Sequence, residues 1–210
     1  MEDLYETRGP SYPKWLTLLA GEGREDYLLS LRYPFLICLA MFIASFTFGY
    51  VSHGQIPSQW WEDLLGSLPD LEEVGPLFFM LFIFINNAVK SLLWMSLGIL
   101  FGVAPLLFIA LNGFMLGLVI NYVSQVAGLL FVFVAIAPHG VVEIPITLLS
   151  AAIGVKFGYS FINRIRGEGS LIEELKMGLS LFLRRMIFFL LIAAVIEAFI
   201  TPFLVVLFFQ

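Results

Sequence analysis

Residues 185–209 read RMIFFLLIAAVIEAFITPFLVVLFF, and after the opening arginine a single residue in that run, Glu197, carries a charge. About 20 mostly apolar residues suffice for a helix to cross a hydrocarbon layer ~30 Å thick, so this segment predicts a transmembrane helix. Three more stretches pass the same test: Tyr33 to Val51, Pro76 to Val103 and Pro105 to Val123. Gly140 to Ile162 also qualifies, despite Glu143 and Lys156. The run from Val126 to Ala137 makes only about 18 Å of helix, too short to cross unaided, and is expected as a re-entrant or interfacial half-helix. The predicted fold is therefore all-α, a polytopic transmembrane helix bundle of about five spanning helices plus that half-helix.

Composition agrees. The chain is 60% hydrophobic and 13% charged, with a mean hydropathy of +0.96, well away from the roughly half apolar and quarter charged make-up of soluble domains. The bilayer is its expected solvent. A net charge of -5 argues against nucleic acid as a partner, because phosphate binding needs a basic face. The one cysteine, Cys38, lies within the first apolar run and can form no intrachain disulfide. The polar, acidic N-terminus lacks the basic start and cleavage site of a signal peptide, so the first span is expected to remain as an anchor.

Charge placement orients the spans, since cytoplasmic loops are enriched in Lys and Arg. The segment 1–32 carries Arg8, Lys14, Arg24 and Arg32, whereas 52–75 has no basic residue and five acids, Glu62, Asp63, Asp70, Glu72 and Glu73. The segment 163–184 is again basic, with Arg164, Arg166, Lys176 and Arg184. The expected protein is a multi-pass one of the cell membrane: a cytoplasmic N-terminal segment 1–32, a transmembrane domain 33–210 with an outer loop at 52–75 and an inner loop at 163–184, and the C-terminus outside. In the outer loop, Trp60, Trp61, Leu64, Leu65 and Leu68 follow Pro57 and Ser58 at helical spacing, predicting a helix on the membrane surface or a lid on the helix ends. On the inner side Ser170 and Glu173 form a capping box for a helix leading into the last span.

Three pairs of glycines stand one turn apart: Gly98 and Gly102, Gly113 and Gly117, Gly154 and Gly158. Small residues at that spacing let helices approach closely, which favours a compact bundle and leaves room for a homo-oligomer.

Ionisable groups inside a bilayer are costly, so each calls for a partner or a role. In Pro138-His139-Gly140-Val141-Val142-Glu143, proline and glycine are expected to break the helix, and His139 and Glu143 fall on one face if a new helix starts at Pro138. Such a pair can bind a metal, relay a proton or staple helices by a hydrogen bond. For a metal, zinc or another divalent ion, the economical ligand set is His139, Glu143 and Glu197, because Glu197 is the remaining carboxylate within a span. The second group is Asn86, Asn87 and Lys90, with Asn86 about 15 Å beyond Pro76 and so near mid-membrane. Asn112 and Glu197 fall at a similar depth. A polar cluster of Asn86, Asn87, Lys90, Asn112, His139, Glu143 and Glu197 is thus expected inside the bundle. Lys156 is expected to snorkel to the inner surface without a role in the site, and His53 to be a solvated loop residue. No nucleotide, nucleophile-elbow, zincin or CxxC motif is present, and the spans hold no aspartate, so an enzyme is not expected.

The ordered set Asn86-Asn87-x-x-Lys90, Gly98 to Pro105, Asn112-Gly113, Pro138-His139-Gly140-x-x-Glu143 and Ile196-Glu197-Ala198 before Pro202 resembles the stage II sporulation protein M family of integral membrane proteins, over roughly residues 33–210. In spore-forming bacteria the resemblance implies a membrane scaffold that recruits a peptidoglycan-degrading machine, yet the family extends to organisms that form no spores. The leading expectation is an integral membrane scaffold or assembly component, with other membrane proteins as partners and the polar cluster organising the bundle. The alternative is a small transporter or channel-like protein with an intramembrane ion or metal site at the broken helix.

Overall fold

The structure, a computed structural model, describes residues 12–14, 17, 25–52, 54, 59 and 75–209. A short helix α1 (Glu25–Ser30) turns at Leu31 into α2 (Arg32–Ser52), followed by α3 (Pro76–Leu97), α4 (Val103–Ala127) and α5 (Leu129–Ile165). The last span is one rod assembled from α6 (Leu171–Leu181), a π-helical turn at Phe182–Met186, α7 (Ile187–Val195), a second π turn at Ile196–Ile200 and α8 (Thr201–Phe209). Among the described residues five helices are long and apolar enough to cross a membrane: Arg32–Ser52, Pro76–Leu97, Val103–Ala127, Leu129–Ile165 and Leu171–Phe209. Each directs large apolar side chains outward, among them Phe48, Phe78, Leu107, Phe133 and Phe203. Hydrocarbon is the medium in which that surface costs nothing.

The expected break before the fourth span is absent. Gly128, at φ 87, ends α4 and begins α5, which then runs unbroken through Pro138 and Pro145 for 37 residues. The run from Val126 to Ala137 is therefore no separate half-helix; most of it is the first part of a rod about 55 Å long. A proline inside a helix removes one N–H and crowds the carbonyl four residues back, here those of Val134 and Val141, and the rest of the ladder survives. The second apolar stretch also ends early, at Leu97, where Gly98 to Gly102 reverse the chain into α4, with Phe101 at φ 58 and Gly102 at φ 73. The inner connection shrinks to the residues between Ile165 and Leu171, and the Ser170 hydroxyl accepts a hydrogen bond from the Glu173 N–H at 3.4 Å. The predicted surface helix bearing Trp60 and Trp61 lies outside the described residues, as does His53.

All three glycine pairs are used within the chain. A Cβ on Gly98 would fall inside 3.0 Å of the Gly154 backbone, and one on Gly158 inside 3.0 Å of Gly102. On the other side of the bundle Gly113 and Gly117 meet the backbone of Phe42 and Phe46 in α2. These contacts place α5 at the centre. It supplies Ile153 and Phe157 to a core with Met95, Phe182 and Leu190, and Leu148, Ala151 and Ala152 to a second core with Cys38, Phe108 and Ile109. The Ser150 hydroxyl donates to the Ser91 carbonyl at 3.0 Å, tying α5 to α3.

Lys156 does more than snorkel. Its ammonium pairs with Glu174 of α6 at 3.1 Å, donates to the Ser30 hydroxyl at 2.5 Å and lies 4.1 Å from the centre of the Tyr27 ring. Burial, reinforced by the Glu174 charge, holds the Tyr27 phenol above its ordinary pKa, so it stays neutral beside the pair. The cluster locks α1, the C-terminal part of α5 and the start of the last span at one end of the bundle.

Two outcomes follow for thermal unfolding in detergent. Gly154→Leu should cost about 1–3 kcal/mol or prevent folding by overpacking, whereas Gly140→Ala, whose added Cβ meets nothing nearer than 3.7 Å, should be nearly neutral. Lys156→Met should cost about 3 kcal/mol by stranding the Glu174 carboxylate, and adding Glu174→Gln should recover part of the loss.

Candidate functional site

Helical periodicity sets the first two members of the site. In the unbroken α5, His139 and Glu143 are one turn apart and project from the same face. The third arrives from the last span, where Glu197 occupies the π turn Ile196–Ile200. That wide turn has a local cause: Pro202 has no N–H to donate to the carbonyl of Ala198, and the helix absorbs the lost rung by widening just before it. One ligand atom from each of His139, Glu143 and Glu197 lies within 4.8 Å of the other two. Such a separation suits donors sharing one divalent ion at about 2.0–2.6 Å each. All three side chains are half-buried.

Beside the triad lies a cavity of about 130 Å³ between α2, α4 and α5, whose polar lining comes from Asn112, His139, Glu143 and Thr147 against Phe42 and Ile109. The Asn112 amide donates to its own helix at the Phe108 carbonyl, 2.7 Å away, which leaves its side-chain oxygen as an acceptor. Glu197 is not part of the cavity lining and meets His139 and Glu143 from the last span.

The other sequence-identified residues separate from this group. The Asn86 amide donates to Asn87 at 3.4 Å, and Asn86 and Lys90 line a groove on α3 among Phe78, Phe82, Ile85 and Val89. Lys90 is exposed and makes no ion pair with a described residue. Four of the seven residues, Asn112, His139, Glu143 and Glu197, therefore form the site. Asn86, Asn87 and Lys90 stand apart.

Two residues that the sequence did not single out follow the carboxylates by four positions. Thr147 follows Glu143 by one turn and lines the cavity. Thr201 follows Glu197 at the same spacing and is buried, and its hydroxyl finds no hydrogen-bond partner among the described residues. The (i, i+4) relation to each carboxylate was the available signal. His139 Nδ1 is likewise buried and unpartnered. Buried polar atoms are nearly always satisfied, so an orphaned imidazole nitrogen beside two carboxylates is chemically suited to a cation. Two facing carboxylates in an apolar interior also require a positive charge or a shared proton between them.

The family model for stage II sporulation protein M matches residues 38–202. The chain belongs to that family. An uncharacterized protein of Methanocaldococcus jannaschii is 31% identical over 176 residues, which cover 82% of this chain and 96% of the relative. No solved structure gives a significant match. The stretch matched to stage II sporulation protein M contains every residue of the site, from Phe42 through Asn112, His139 and Glu143 to Glu197.

The geometry predicts a cross-link. In a Cys38→Ser background, the double variant His139→Cys, Glu197→Cys should be shielded from maleimide labelling by Cd²⁺ bridging the two thiols. Without the ion both thiols should label; equal labelling of the double variant with and without Cd²⁺ would place the two spans further apart than described.

Proposed function

We propose that this multi-pass member of the stage II sporulation protein M family is a small transporter or channel-like protein with a cation site inside the membrane, held by His139, Glu143 and Glu197. The observation that carries the reading is the convergence of these three groups, from two spans, on one point beside a polar cavity. Two carboxyl groups brought together in an apolar interior call for a shared proton or a bound cation. Two carboxylates and an imidazole nitrogen suit zinc or another divalent metal, and Asn112 and Thr147 offer neutral oxygens along the cavity. The site presents no activated nucleophile, and we assign it no reaction.

The family's breadth leaves a second reading, a scaffold or assembly component in which the polar cluster organises the bundle and other membrane proteins dock outside. Its supporting observation is the backbone-to-backbone contact at Gly98, Gly154 and Gly158, which suits a rigid body better than a moving one. Because these glycines are engaged within the chain, a homo-oligomer would have to form through other faces. We orient the protein with its N-terminus cytoplasmic and its C-terminus outside, following the basic residues of 1–32 and 163–184; the contact of Lys156 with Ser30 and Glu174 supports placing those two segments on one side.

Proteoliposomes separate the readings. Wild-type protein should raise Zn²⁺, Mn²⁺ or proton flux above empty vesicles and retain about one divalent ion per chain after purification. Glu143→Gln should lower the flux at least tenfold. Equal, background flux in both proteins, together with lower thermal stability of Glu143→Gln, would favour the scaffold.

A further inference from the structure

A groove of about 670 Å³ opens where the start of α2 diverges from α5 and α7, a volume within the roughly 300–1,000 Å³ of ordinary ligand sites. Its walls are apolar: Leu31 and Phe35 from the junction of α1 and α2, Pro145, Ile146 and Leu149 from α5, and Phe189 from α7. Arg32 is the one charged residue lining it. The groove's rim can be located, because Ser30, two residues before Arg32, is bonded to Lys156 at the end of the bundle where α6 begins. The groove thus runs from that membrane boundary toward mid-membrane, past Pro145.

The arginine at this rim has no carboxylate partner among the described residues. Arg32 is exposed and stacks over the Tyr33 ring at 4.6 Å, but it pairs with no carboxylate among the described residues. Arg185 is also exposed, makes no such pair, and stands about one turn before Phe189. An arginine held at the edge of hydrocarbon needs an anion, and the guanidinium fork matches a phosphate bidentately. Anionic headgroups concentrate at the cytoplasmic leaflet, where basic sites between helices bind them.

We propose that this groove is a binding site for one anionic phospholipid, whose acyl chain lies along Phe35, Pro145, Ile146 and Phe189 and whose headgroup phosphate is held by Arg32 with Arg185. The apolar wall and the arginine rim demand the two halves of a single molecule. A free phosphate would leave the groove unfilled, and a zwitterionic lipid would carry its own cation to the arginines. The site is separate from the His139, Glu143 and Glu197 triad and does not depend on its function.

Native mass spectrometry of the full chain in mild detergent, titrated with phosphatidylglycerol or phosphatidylcholine of the same acyl chains, tests this. Wild type should retain one phosphatidylglycerol about tenfold more strongly than phosphatidylcholine. Arg32→Gln should remove that preference. Ile146→Trp, which fills the groove, should weaken both lipids, and inorganic phosphate should not displace the bound lipid. Because a variant can fail to fold, wild-type melting is followed as well, and phosphatidylglycerol should raise it where phosphatidylcholine does not. Equal retention of the two lipids by wild type, an unchanged preference in folded Arg32→Gln, or displacement by inorganic phosphate would overturn the proposal.

Discussion

In hydrocarbon no water is available to satisfy a backbone N–H or carbonyl, so each crossing segment must keep its own hydrogen-bond ladder. That constraint accounts for the form of α5. Two prolines and a glycine would ordinarily end a helix in water, yet here the alternative is a set of bare backbone groups facing lipid, and the helix continues at the loss of one rung per proline. The continuous rod carries His139 and Glu143 on one face and the glycine contacts of Gly154 and Gly158 further along. Everything else in the bundle is arranged against it.

The last span meets the same constraint in a different way. Pro202 is accommodated by a widened turn instead of a break, and Glu197 sits in that turn. The combination of a regular helix presenting two ligands at (i, i+4) and a locally widened helix presenting the third is how two parts of the sequence more than fifty positions apart reach one point. At the opposite end, the Lys156–Glu174 pair fixes the last span against α5 and α1, so the site is held from a distance by a contact that has no part in its chemistry.

The apolar exterior is also uneven. Where α2 leaves α5 it forms a groove with an arginine at its mouth, and this is the kind of feature a hydrophobic exterior otherwise hides. The interior site and the exterior groove both rest on α5, with Glu143 and Pro145 only two residues apart on different faces.

Amino-acid order alone determined the membrane class, the five crossings and the identity of the carboxylates and histidine, because hydrophobic length and the rarity of charge in a span are local properties. It also indicated His139, Glu143 and Glu197 as a set, through the scarcity of intramembrane carboxylates. The order did not reveal that Pro138 lies within a continuous helix, since proline's effect depends on what surrounds the freed carbonyl. Nor did it separate Asn86 from Asn112: both are expected near mid-membrane, and depth is read from position along a helix, whereas direction is set by which neighbouring helices pack against it. The role of Lys156 was hidden for the same reason, as its partners Ser30, Tyr27 and Glu174 are brought to it by three different elements. Tertiary packing decided which polar residues meet, because a helix fixes spacing along its own axis but leaves its rotation to the helices around it.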